Sequence, residues 1–157
     1  MATTSWLVKR LRADYPDVSF VLADDFAWSP VRRSVSYSDD DDPVALLTLL
    51  HEVAHAHLAH TDFYRDIDLL RFERAAWDHA AHVLAPRYDV PVDGEIVEDM
   101  LDTYRGWLHA RSRCPECVGT GLQTARDRYR CLGCVRQWRV NDARRCALRR
   151  YSLSASD

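Results

Sequence analysis

A five-residue motif, His51-Glu52-Val53-Ala54-His55, constrains this chain more than any other feature of its sequence. It lies within the apolar run LLTLLHEVAHAHLAH, which predicts a helix. Residues four apart share a helix face, so the two imidazoles can reach one metal ion together. The pattern therefore predicts a zinc site with Glu52 acting on a zinc-bound water. A polar helix face with incidental histidines is the alternative interpretation.

A catalytic zinc takes three protein ligands and leaves one position for water, so a third ligand must come from elsewhere in the chain. Glu73 is the best candidate, because it lies in an apolar helical context where an unpaired carboxylate is costly. A salt bridge to Arg71 or Arg74 is the alternative role for this side chain. His79 and His82 compete with it as third ligand.

Two CxxC pairs in the last third of the chain predict a second metal site. Cys114 and Cys117 are followed, after 13 residues, by Cys131 and Cys134. This spacing is typical of a closed tetrahedral zinc site with four cysteine ligands. Because four thiolates fill the coordination shell, we expect this zinc to be structural and the other zinc to be catalytic. The fifth cysteine, Cys146, is expected to be free and buried.

Periodicity and turn residues predict the order of helices and strands. A helix over 4–14 and a strand over 18–23 are followed by an edge strand over 34–38. Three further helices are expected over 43–60, 63–85 and 94–111. In the cysteine-containing part we expect a β-hairpin between the two CxxC pairs, a strand over 137–140 and a helix over 141–151.

The formal net charge of −3 combines an acidic first part with a basic last third. Residues 1–104 carry 9 basic and 20 acidic side chains (net −11), whereas residues 105–157 carry 12 arginines and 4 acids (net +8). Positive charge interleaved with Tyr129, Trp138 and Tyr151 is typical of a nucleic-acid surface. Contact with the acidic first part and binding of a protein substrate are the alternatives. The arginines concerned are Arg111, Arg113, Arg126, Arg128, Arg130, Arg136, Arg139, Arg144, Arg145, Arg149 and Arg150.

Several features favour a cytoplasmic protein with no membrane association. No apolar run approaches the roughly 18 residues that span a bilayer. The N-terminus MATTSWLVKRLRADYPD lacks the apolar core of a signal peptide. Paired CxxC motifs suit metal binding in a reducing compartment better than a disulfide framework.

Over about residues 18–85, the sequence resembles the ImmA/IrrE family of zinc metallopeptidases. The resemblance rests on HEVAHAHLAH and on ERAAWDHA, which begins at Glu73, because that family carries HExxH on one helix and Glu-x-x-Ala on the next. It implies a gluzincin-like endopeptidase with zinc held by His51, His55 and Glu73, and an association with cleavage of repressor proteins. Many relatives have Asp or Asn where this chain has Trp77.

The sequence also resembles the SprT-like proteases, which carry HExxH and end in a zinc ribbon. That family takes its third ligand from a histidine that often precedes a glycine, whereas neither His79 nor His82 precedes a glycine here. The ligand helix therefore favours the ImmA/IrrE family, while the cysteine pairs fit the SprT-like family.

Three functions follow from these patterns. The first is a zinc endopeptidase that acts on a regulatory or DNA-associated protein. The second is a SprT-like DNA-associated protease, and the third is a non-catalytic zinc-ribbon regulator that binds nucleic acid or protein. The intact Glu52 favours an enzyme. The donor that stabilises the oxyanion stays open among Tyr64, Arg71, His79, Tyr104 and Arg105.

The expected fold class is α+β, with two domains. Residues 1–110 are expected to form a mainly helical, zincin-like metallopeptidase core with a small N-terminal β-sheet. Residues 111–157 are expected to form the four-cysteine zinc ribbon with a basic C-terminal helix.

Overall fold

One helix, three short strands, a run of helices and four more strands follow one another along residues 2–154, the part of the chain that this computed structural model describes. The helices are α1 (Thr4–Asp14), α2 (Pro43–His57), α3 (Asp66–His79), α4 (Ala85–Arg87) and α5 (Gly94–Ser112), and a π-helical turn (Ala80–Leu84) joins α3 to α4. The strands are β1 (Ser19–Leu22), β2 (Ala27–Ser29), β3 (Ser34–Tyr37), β4 (Gly121–Ala125), β5 (Arg128–Cys131), β6 (Gln137–Val140) and β7 (Arg150–Ser152). The expected α+β class is confirmed. Within residues 2–154, no helix has both the length and the apolar character that crossing a membrane requires.

Contacts divide the chain into two compact units. Unit 1 comprises Met1–Asp62 and Arg71–Glu98, and unit 2 comprises Phe63–Leu70 and Asp99–Asp157. The domains expected from the sequence, 1–110 and 111–157, stay a prediction. The units group residues 63–70 and 99–110 with the cysteines.

The sheet of unit 1 has the strand order β1-β3-β2, with β1 parallel and β2 antiparallel to β3. The expected position of the second strand at a sheet edge is wrong, because β3 lies in the centre. Its Val35 pairs with Phe20 on one side and Trp28 on the other, and Val35 is fully buried. The edges are instead β1 and β2. The sequence pattern did not reveal β2, a three-residue strand immediately before Pro30.

Helix α2 carries the motif, and its ends follow from local chemistry. The Asp42 side chain caps the first turn by accepting from the Val44 N–H, and Pro43 suits a first-turn position whose N–H needs no partner. Four leucines, Val53 and Ala54 on several sides of α2 are buried, so the helix is a central element of unit 1. It ends at His57, three residues before the expected end at residue 60.

The helix expected over 63–85 is a composite. It begins at Asp66 and continues through the π-helical turn and α4 to Arg87. The expected stop at Pro86 is wrong, because this proline lies in the first turn of α4. A proline there loses no helical hydrogen bond.

The sheet of unit 2 is antiparallel throughout, in the order β4-β5-β6-β7. The expected hairpin and the strand over 137–140 are confirmed. The expected helix over 141–151 is wrong, because this segment loops back and ends in β7. Asn141 closes this loop: its Nδ2 donates to the Ala147 carbonyl at 2.9 Å and its Oδ1 accepts from the Arg149 N–H at 2.8 Å. The expected burial of Cys146 is also wrong, since it is exposed.

A buried charge network organises the core of unit 2. Arg111 and Asp66 are each 1% exposed and form a two-point ion pair, with Nε 2.7 Å from Oδ2 and Nη2 3.2 Å from Oδ1. The Tyr129 hydroxyl donates to the same carboxylate at 2.5 Å, and Trp138 Nε1 donates to the Arg111 carbonyl at 3.0 Å. Arg111 therefore has a structural role and is not part of an exposed basic surface.

Candidate metal centres

Three side chains of unit 1 converge: His51 and His55 from α2, and Glu73 from α3. Their ligand atoms lie within 4.8 Å of one another, and this group could hold a metal ion. The two histidine Nε2 atoms are 3.1 Å apart. Glu73 places Oε2 3.0 Å from His51 Nε2 and Oε1 3.4 Å from His55 Nε2. The structure thus brings together the three side chains that the sequence selected, while their role as ligands stays a prediction.

Small residues allow the helical segment after Glu73 to pack closely against α2. His51, His55 and Glu73 are only 4%, 7% and 6% exposed, so the group lies beneath the surface of unit 1. Ala76 and Ala80 are fully buried one and two turns after Glu73. The π-helical turn that contains Ala80 packs against α2.

The His51 imidazole packs against the ring of Trp77. The Trp77 ring stacks on it with centroids 4.0 Å apart and planes 17° apart. Among the described residues, neither His51 Nδ1 nor Trp77 Nε1 has a hydrogen-bond partner, although both atoms are buried. The stacked Trp77 ring therefore helps to orient this imidazole on a side where Nδ1 makes no hydrogen bond.

The electrostatics of the group favour a charged carboxylate. Burial raises the pKa of Glu73, whereas the imidazoles of His51 and His55 beside the carboxylate lower it, and the net effect lowers this pKa to about 2. Glu73 Oε2 is buried, and its 3.0 Å contact with His51 lacks hydrogen-bond geometry. A buried carboxylate oxygen left unsatisfied beside two imidazoles suits a bound cation.

Glu52 is held at the edge of the group by the sheet. Its Oε2 accepts a hydrogen bond from the backbone N–H of Trp28 in β2, at 2.7 Å. Its Oε1 lies 3.9 Å from His51 Nε2. One oxygen is thus anchored to the edge strand and the other faces the candidate ligands.

His60 supports the opposite side of the group. Its Nδ1 lies 2.8 Å from His55 Nδ1, and its ring stacks on Phe72, the residue before Glu73, with centroids 4.5 Å apart. The His60 carbonyl accepts from Trp28 Nε1 at 2.9 Å. Burial first, and then positive charge on His55, lower the pKa of His60 to about 4, so this ring is neutral at neutral pH.

No sequence pattern indicated the roles of Trp28 and His60. The Trp28 contact depends on the pairing of a strand that was not anticipated. His60 lies five residues after His55, beyond the end of α2. Its contact therefore follows from the path of the chain after the helix and not from a helical spacing.

The alternative third ligands, and the alternative partner of Glu73, make other contacts. His79 stacks on the imidazole of His57, with centroids 4.6 Å apart. His82 Nδ1 is 2.9 Å from the Asp78 carbonyl oxygen. Arg74, a candidate partner for Glu73, has its Nε 3.8 Å from Asp78 Oδ2. Among the described residues, none of these side chains belongs to a group that could hold a metal.

Unit 2 contains the second group, formed by Cys114, Cys117, Cys131 and Cys134. The Sγ atoms of Cys114 and Cys134 are 3.7 Å apart, and those of Cys117 and Cys131 are 3.4 Å apart. A disulfide has its sulfurs about 2.05 Å apart, so these contacts are not disulfides. The four thiols are free and could hold a metal ion together.

Backbone donors favour the thiolate form of Cys131. The N–H groups of Cys134 and Gly133 point at its Sγ, at 3.5 and 3.3 Å, and they lower its pKa to about 6. Metals bind thiolates rather than thiols, so this arrangement suits a metal knuckle.

Comparison of the chain with protein-family models, with curated proteins and with solved structures found no match. The interpretation of both groups therefore rests on their own geometry and chemistry.

Proposed function

We propose that this chain is a zinc-dependent endopeptidase of the ImmA/IrrE type, with a zincin-like unit 1 and a zinc ribbon in unit 2. The observation that carries the proposal is the convergence of His51, His55 and Glu73 on one buried point, with Glu52 beside them. Two imidazoles and one carboxylate form the ligand set of many catalytic zinc sites, which keep a position for water. The two CxxC pairs favour a reducing compartment, and we place the protein in the cytoplasm.

The ligand separations support zinc at both groups. Tetrahedral ligands about 2.0–2.2 Å from a metal lie about 3.3–3.6 Å from one another, and thiolates about 2.3 Å from zinc lie about 3.8 Å apart. The contacts of the first group are 3.0–3.4 Å. In the second group two sulfur pairs are 3.4 and 3.7 Å apart, and all four sulfurs lie within 4.8 Å of one another. Each group thus needs only small adjustments around an ion.

The roles of the protein residues follow from their placement. When bound, zinc would supply a water of lowered pKa and polarise the scissile carbonyl. Glu52 Oε1 faces the ligands and can take a proton from an attacking water, then return it to the leaving amine. The Trp28 N–H holds Glu52 Oε2 at 2.7 Å and so fixes the carboxylate for both transfers. The Trp77 ring covers His51 and excludes solvent from that ligand.

The test is Glu52→Gln, compared with the wild-type chain by labelling the new N-termini that each produces in a cell lysate. The amide preserves the size of the side chain but cannot accept the proton. We expect the variant to retain zinc and to lose the cleavages that the wild type makes, by about two orders of magnitude or more.

Glu95→Gln is the matched control, because Glu95 is an exposed glutamate of the same unit. This control should cleave like the wild type. Equal cleavage by Glu52→Gln and the wild type, with zinc present in both, would show that Glu52 does not serve as the base.

A further inference from the structure

The exposed face of the sheet in unit 2 is rich in arginine. In strand β5, Arg128 and Arg130 are exposed and the residues that follow each of them are buried. Strand β6 has the same alternation, with Gln137 and Arg139 exposed. The register places these residues on a common side with their neighbours in β4 and β7. We call this surface the arginine face; it consists of Leu122, Arg128, Arg130, Gln137, Arg139 and Tyr151.

Like charges lie close together on the arginine face. Arg128 lies directly opposite Arg139 in the β5–β6 pair, and like charges at opposed positions destabilise a sheet. Arg130 is two residues from Arg128 on the same strand, about 7 Å along it. None of the four strands contains Asp or Glu. Folding therefore concentrates three guanidinium groups on one side of a sheet whose strands carry no acidic residue.

An aromatic ring completes the surface. Tyr151 of β7 is paired with Arg139 and is 43% exposed. The Arg139 guanidinium lies over the Tyr151 ring, 5.1 Å from its centroid. A planar cation stacked beside an exposed ring offers both phosphate contact and a stacking platform.

We propose that the arginine face binds single-stranded nucleic acid. Guanidinium groups neutralise successive phosphates, and the Tyr151 ring stacks on an unpaired base, which a duplex would not expose to a flat sheet. An acidic polypeptide would satisfy the arginines but would leave the ring without a role. This proposal requires no peptidase activity, so its test is independent of the test of the proposed function.

The experiment measures fluorescence anisotropy of labelled oligothymidine titrated with the full, zinc-loaded chain over a salt series. The test variant is Arg130→Gln/Arg139→Gln. We expect it to lose about tenfold in affinity and to reduce the salt slope by about 1.4, since each phosphate contact on a single strand contributes about 0.7. Tyr151→Leu should weaken binding with little change in slope, because it removes stacking and no charge.

The matched control is Arg145→Gln/Arg149→Gln, which removes the same charge from exposed arginines of unit 2 outside the arginine face. It should stay within about threefold of the wild type. Equal losses in the two double variants would overturn the proposal, because binding would then follow net charge alone. Undetectable binding by the wild type would also overturn it, as would tighter binding of a duplex of the same length or equal competition by polyglutamate.

Discussion

At the scale of single residues, the candidate ligand His55 is oriented by another histidine, where a carboxylate or backbone carbonyl would be more usual for a metal-bound histidine. His55 can present the Nε2 lone pair to a metal only when its proton is on Nδ1. That proton must then be donated to His60 Nδ1, 2.8 Å away, and a neutral His60 can accept it. We therefore expect His60 to be a positioning residue that fixes the tautomer of this candidate ligand.

We expect His60→Ala to weaken zinc binding at the first group by about 10- to 100-fold, measured by competition with a chromogenic chelator. His60→Gln should recover part of the loss, because its side-chain oxygen can accept the same hydrogen bond. His57→Ala is the control, since His57 stacks on His79 at the end of the same helix. Zinc affinity that is equal in His60→Ala and His57→Ala would disprove the positioning role.

At the scale of elements, β4 passes against the core of unit 2 at a glycine. A Cβ on Gly121 would lie 2.4 Å from a ring carbon of Trp138 and 3.1 Å from the Ser112 carbonyl oxygen. Trp138 is fully buried and its Nε1 is bound to the Arg111 carbonyl, so the ring has little freedom to move. The approach of β4 to this core thus requires glycine.

Gly121→Ala should destabilise the zinc-loaded protein by about 1–3 kcal/mol, the usual cost of overpacking, in urea unfolding followed by tryptophan fluorescence. Gly106→Ala is a matched change in α5, where a Cβ would meet nothing within 4 Å. It should stabilise α5 by roughly 0.8–1 kcal/mol, because alanine favours the helix. Similar free energies of unfolding for the two variants would contradict the packing argument.

The elements that the sequence predicted well are those with a local cause. The sequence pattern predicted α1, α2 and α5 to within three residues at each end. A carboxylate in an apolar helix pointed to Glu73. The sequence-based predictions were wrong where long-range contacts determine the secondary structure. Strand β2, for example, has only three residues and forms through pairing with β3. The sequence from Asn141 to Tyr151 favours a helix by composition, but side-chain hydrogen bonds of Asn141 close a loop instead. The anchoring of Glu52 by Trp28 depends on that same unanticipated strand.

At the scale of the whole molecule, the described residues of each compact unit include one group that could hold a metal. Unit 1 has His51, His55 and Glu73, and unit 2 has the four paired cysteines. The two groups differ in chemistry, because a nitrogen and oxygen set with three ligands leaves a position for water, whereas four thiolates leave none. Zinc at the first group is the claim from which the proposed peptidase activity follows.

The most direct measurement of that claim is the zinc content per chain, determined by elemental analysis of the purified protein and two variants. We expect about two zinc ions in the wild type, and about one in His51→Ala with the second unit still folded. Cys117→Ser should lower the zinc content by removing zinc from the four-cysteine group, while the first group keeps its zinc. A wild-type content of one zinc that His51→Ala leaves unchanged would contradict the account.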